Sequence, residues 1–178
     1  MDEPEGVSVP LFSGQAQDFA KFKRDFEHVV VPNRHPSDVA AYLRAAVPTE
    51  LESKLFDNLD FPDYMNMMQA LTNKFARKAS NNVILNFVSR IEGTGVITSD
   101  QEFYAFLEDL KEVKKIMEIL GTMEELVNVF TIFKIESKFP PKMMWDWADI
   151  VVKEELDKFG HTSKEKFERL MTFLTFTE

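Results

Sequence analysis

Cysteine is absent from the 178 residues, which excludes disulfides, thiolate zinc sites and cysteine nucleophiles together. Redox chemistry therefore leaves the compartment unread. Glycine is scarce at six residues, so tight β-turns that require positive φ have few residues to build them. Positive charge is short as well. The formal net charge is −9, whereas nucleic-acid binding needs a basic face to neutralise phosphates, so this chain alone is poorly suited to it. Two small basic clusters, Lys74 with Arg77 and Lys78, and Lys111 with Lys114 and Lys115, read as solvated helix faces. No apolar run reaches the roughly 20 residues that cross a bilayer. The acidic start MDEPEG is unlike a signal peptide. The expectation is a soluble, cytoplasmic protein with no membrane partner.

Catalytic patterns are also missing. His28, His35 and His161 have no metal-ligand spacing among them. The adjacent acids Glu124-Glu125 and Glu154-Glu155 would diverge by about 100° on a helix, too far to share a site. There is no Asp-Thr-Gly or Asp-Ser-Gly triplet, no Walker loop and no Gly-x-Ser-x-Gly elbow. Gly93-Thr94-Gly95 follows no strand and lacks the further glycines of a dinucleotide fingerprint, so it reads as a helix stop. No enzymatic activity, cofactor or metal is expected.

What the chain does have is apolar bulk: 17 Phe and nine Met in a sequence that is 44% hydrophobic. With little glycine, this points to an all-α protein whose helices pack on helices. The organising stretch runs from residue 9 to 31. Phe19, Phe22, Phe26, Val29 and Val30 recur at helical spacing with charge on the other side. The approach Pro10-Leu11-Phe12-Ser13-Gly14 reads as an extended strip pinned to the domain. After a breaker-rich loop, Ser37 is expected to cap a helix that turns Val39, Tyr42, Leu43, Ala46 and Val47 inward. A short helix follows with Leu51, Leu55 and Leu59 on one side. A fourth starts near Asp63 and aligns Tyr64, Met68, Leu71 and Phe75. Residues 8–78 thus form a first helical lobe, preceded by a flexible segment 1–7.

The stretch ARKASNN turns small and polar, and Lys78, Ala79, Ser80 and Asn81 are the candidate hinge. A second lobe, 79–178, begins with a helix that buries Ile84, Phe87, Val88 and Ile91. Ser99-x-x-Glu102, Thr122-x-x-Glu125 and Thr162-x-x-Glu165 each have the form of a capping box and mark helix starts. A helix over about 100–120 carries Phe103, Phe106, Leu110, Val113, Met117 and Leu120, a stripe read as a core seam in preference to a coiled coil. The helix opened by Thr122 turns Leu126, Val129, Phe130 and Phe133 inward. Pro140-Pro141 opens another, closed by Gly160, with two competing faces. Met144, Ala148, Val151 or Val152, Leu156 and Phe159 share one; Met143, Trp147 and Ile150 lie elsewhere. This surplus suggests a contact with the other lobe or another chain, and Met143, Met144, Trp145 and Trp147 are the candidate self-association residues. A last helix, 163–175, presents Phe167, Leu170, Met171 and Leu174.

The order of these motifs resembles a known family. Pro10-x-Phe12-Ser13-Gly14, Phe19-x-x-Phe22-x-x-x-Phe26, Ala41-Tyr42-Leu43, Tyr64 with Leu71 and Phe75, and Lys138-Phe139-Pro140 followed by Trp145 look like the Gag capsid region of LTR retrotransposons of the BEL/Pao type. Residues 9 to 150 are covered. Phe19, Gln15 and Ala76 depart from the family's usual Trp, acid and Gly, which implies a diverged or host-domesticated copy. The resemblance implies two capsid-like helical lobes, with Gln101, Glu102, Phe106 and Leu110 in the place of the major homology region. It further implies a structural protein that self-associates into a shell, in virus-like particles, and reaches RNA only through a flanking segment outside this chain. Two alternatives stand beside it: a domesticated module that binds a host peptide, and a helical adaptor unrelated to Gag.

Overall fold

The computed structural model describes residues 8–158 and 160–177; segment 1–7 and Phe159 lie outside them. The described residues are helical and contain no strand. The helices are α1 (Ala16–Val29), α2 (Pro36–Ala46), α3 (Thr49–Leu51), α4 (Tyr64–Glu92), α5 (Asp100–Leu120), α6 (Met123–Leu126), α7 (Val129–Glu136), α8 (Pro141–Lys153) and α9 (Ser163–Phe176). They fall into two compact units. One comprises the described residues through Asn82 plus Ile119–Gly121; the other comprises Val83–Glu118 and the described residues from Thr122 onward.

The first unit is built on aromatic packing. Phe12 is buried at the end of the extended strip while its neighbour Leu11 points out, the alternation expected of extended backbone. The strip is held by the Phe12 N–H, which donates to the Ala46 carbonyl at 2.8 Å. The Phe12 ring stacks on Phe22 at 5.1 Å and meets Phe19 and Phe75 edge-on. Phe26 stacks on Tyr64. Burial and the neighbouring Glu27 carboxylate push the Tyr64 phenol up to about 12.

Three local expectations change in this unit. His35, not Ser37, caps α2: Pro36 occupies the first helical position, so the cap falls two residues earlier and the ring accepts from the Ser37 N–H. The third helix is only one turn of α3 followed by a π-turn over Glu52–Phe56. Its fully buried residue is Phe56, while Leu51, Leu55 and Leu59 are half-buried. The third change concerns the hinge. Lys78, Ala79, Ser80 and Asn81 lie inside α4, whose helix runs unbroken through them. The stretch from 64 to 92 contains neither Gly nor Pro, so nothing in the backbone interrupts it. The small residues are small because Ala79 and Ser80 are buried. The Ser80 hydroxyl, a polar group that burial would penalise, donates to the Arg77 carbonyl at 3.0 Å.

The second unit has a contiguous apolar core. Phe87 and Ile91 of α4, Leu107, Leu110, Val113 and Met117 of α5, Ile132 and Ile135 of α7, Trp147 of α8 and Phe167, Leu170 and Leu174 of α9 all contribute. Thr162 and Glu165 form a complete capping box at α9. At α5 the arrangement is shifted by one residue. Ser99 Oγ accepts from the Glu102 N–H, but Glu102 reaches back to Thr98, accepting from its N–H and hydroxyl. Thr122 makes no cap. It is buried, and its hydroxyl donates to the Met117 sulfur instead.

Candidate functional site

The α6–α7 junction decides which aromatics face out. A single helix from Thr122 would align Leu126 with Val129, Phe130 and Phe133. The chain instead breaks after Leu126. Asn128 Nδ2 donates to the Glu125 carbonyl, and Asn128 Oδ1 accepts from the Thr131 N–H, so Asn128 becomes the cap of a new helix. The break rotates the inward face onto Thr131, Ile132 and Ile135. Val129, Phe130 and Phe133, expected in the core, are 75%, 60% and 63% exposed. Lys134 lies over the Phe130 ring at 5.1 Å and also pairs with Glu92. A groove of about 310 Å³ opens beside Val129 and Phe133, floored by Ile132 and Leu156.

In α8 the structure selects between the two competing faces. Trp147 is buried with Met143, Ile150 and Val151 packed against the same core, a spacing of four, three and one that makes a single helical stripe. Its indole N–H donates to Glu136 Oε1 at 2.8 Å and its ring lies against Phe173 at 5.4 Å. Trp147 is therefore a core residue and not part of a docking surface, and Met143 is half-buried beside it. A Trp supplies more apolar area than Met144 or Val152 and its N–H has a partner, so its side of the helix turns inward. Trp145 remains at the surface, 77% exposed, with Met144 and Val152 also exposed.

Glu136 joins a polar network behind Trp147. Lys166 approaches it at 3.5 Å and meets Asp157 at 2.7 Å. Burial opposes the Lys166 charge, but Asp157 and Glu136 outweigh it and hold the ammonium above its ordinary value.

Helix α8 also ends earlier than Gly160. The Leu156 N–H donates to the Val151 carbonyl and the Glu155 N–H to the Val152 carbonyl, a Schellman motif with Glu155 at φ 58° and Leu156 buried as its apolar partner. Glutamate occupies the left-handed position that glycine usually takes, so no glycine marks the stop there.

Of the major-homology-like residues, Leu110 is buried, Phe106 is half-buried, and Gln101 and Glu102 are exposed. Among the described residues, no three His, Asp or Glu side chains come together as a metal site, and no helix is long and apolar enough to cross a membrane. Compared with family models, with curated proteins and with solved structures, the chain gives no match in any of the three.

Proposed function

We propose that this chain is a capsid-type Gag module of the BEL/Pao class, or a domesticated descendant of one, that self-associates into a lattice through its second unit. The observation that supports this reading most is the exposure of Trp145. It is the Trp of the family-like run Lys138-Phe139-Pro140…Trp145, and it stands 77% exposed two residues from a Trp that the same helix buries. A Trp left in water forgoes the large apolar gain that its burial would bring. Val129, Phe130 and Phe133 add a second exposed apolar face on α7.

The mechanism is assembly by repeated weak contacts. Burying one such side chain stabilises a contact by roughly 1.5–3 kcal/mol, so a handful of them only matches the roughly 4–15 kcal/mol that association costs. Single contacts are then weak, and a closed array sums them. RNA would be reached through a basic segment outside this chain.

The test is light scattering with negative-stain microscopy at low salt and at about 1 M salt, where the Debye length falls to about 3 Å. Screening relieves repulsion among subunits that each carry a net −9. Shells, tubes or sheets that appear in high salt support the reading. A persistent monomer at both salts sinks it and favours the peptide-binding alternative.

A further inference from the structure

The second unit contains a half-enclosed cavity of about 290 Å³. Its walls come from the end of α4, the loop that follows it, the first turns of α5 and Lys138 beyond α7. Ile91, Val96, Ile97 and Phe106 make most of the lining apolar. Four charged side chains also line it, and three already make two hydrogen bonds each. Arg90 holds Asp109 through two hydrogen bonds of 3.1 and 2.6 Å. Glu102 accepts from the Thr98 N–H and hydroxyl at 2.7 and 2.8 Å.

Lys138 is different. It is 8% exposed, its Nζ donates to the Thr94 carbonyl at 2.7 Å, and among the described residues it forms no ion pair. An ammonium has three donors, and a buried cation without a carboxylate is costly unless something else meets it. Part of its role is structural, because its own carbonyl also accepts from the Ile97 N–H and ties the loop at both ends. That role uses one Nζ proton and leaves two.

We propose that this cavity binds a small apolar carboxylate, with its hydrocarbon body against Ile91, Ile97 and Phe106 and its carboxylate on the Lys138 ammonium. The volume falls near the lower end of small-molecule sites, which suits a single short apolar group. A charge-assisted hydrogen bond in such a site is stronger than one made in water. The carboxylate can belong to a free acid or to the end of a peptide. This inference is independent of self-association and stands or falls apart from it.

The experiment titrates the whole ¹⁵N-labelled chain with 4-phenylbutyrate, with its neutral amide, and with an acetylated tripeptide that ends in leucine with a free carboxylate. The expected result is saturable movement of the Ile97 and Phe106 amide signals, with the acid binding about tenfold more tightly than the amide, the discrimination a charged hydrogen bond supplies. Lys138→Met keeps the apolar stem and removes the charge, so it should abolish that preference. Because this variant also loses the Thr94 bond, Ala105→Phe gives a second reading. Ala105 is an exposed helical position on the cavity lining, and a Phe there should obstruct binding while the melt stays unchanged. Equal affinity for acid and amide, no saturation with either, or undiminished binding by Ala105→Phe overturns the proposal. A tripeptide that binds more tightly than phenylbutyrate assigns the carboxylate to a peptide terminus, and a weaker one to a free acid.

Discussion

Trp145 and Trp147 are two residues apart on α8, about 200° around the helix, so one must face away when the other faces in. Trp147 takes the inside because Glu136 accepts its N–H and Phe173 covers its ring. Its truncation should therefore act on stability. Trp147→Ala is expected to cost about 3–5 kcal/mol, as large aromatic truncations in cores do, and a urea titration measures it. A loss below about 1 kcal/mol would move the indole out of the core. Glu155 offers the opposite case. An L-residue in the left-handed region bears about 1–2 kcal/mol of strain, while glycine there adds back about 0.4–1 kcal/mol of unfolded-chain entropy. Glu155→Gly should thus raise stability by roughly 0.5–1 kcal/mol in the same titration, despite loss of the exposed Lys158 pair, which contributes little.

At the scale of elements, helix ends govern what the helices present. A single Asn cap at residue 128 exchanges the inward and outward faces of the segment after Thr122. Caps also give the acid response. The Thr98 N–H and hydroxyl hold Glu102 below its ordinary value of 4.5, and the Thr162 N–H and hydroxyl do the same for Glu165. A carboxylate with a lowered folded pKa adds stability that is present above the unfolded value and disappears as pH falls through the folded one. The unfolded chain binds more protons in that interval, so stability rises with pH across it. Melting temperature should therefore drop as pH falls below about 4.5. The Glu102→Gln, Glu165→Gln double variant should melt lower at neutral pH and show a shallower acid slope; an unchanged slope would remove the caps from the account.

For the whole molecule, the relevant balance is between net negative charge, which keeps copies apart, and exposed aromatics, which favour contact. If assembly uses the exposed side of the second unit, Trp145→Ala and Phe133→Ser should each reduce high-salt light scattering at least severalfold with unchanged thermal melts, since neither side chain supports a core. Trp147→Ala lowers the melt instead, so the pair of measurements separates surface from interior. Assembly by Trp145→Ala and Phe133→Ser as extensive as that of the parent chain would relocate the contact elsewhere.

Much of the fold was determined by the sequence alone, because helical periodicity is a local property. The buried faces of α1, α5 and α9 follow from the spacing of their apolar residues, and the α9 start follows from Thr162 and Glu165. The absence of Gly and Pro between residues 64 and 92 also carried the continuity of α4, although the small polar run ARKASNN reads as a break when weighed by composition. Tertiary structure decided what periodicity leaves open. In α8 two apolar faces compete within one helix, and the choice depends on Glu136 and Phe173, partners 11 and 26 residues away in sequence. In α7 the inward face depends on where the preceding turn breaks. The cavity at Lys138 depends on an ammonium meeting a carbonyl 44 residues earlier. Each is a long-range pairing, and a local pattern does not encode which distant group will complete it.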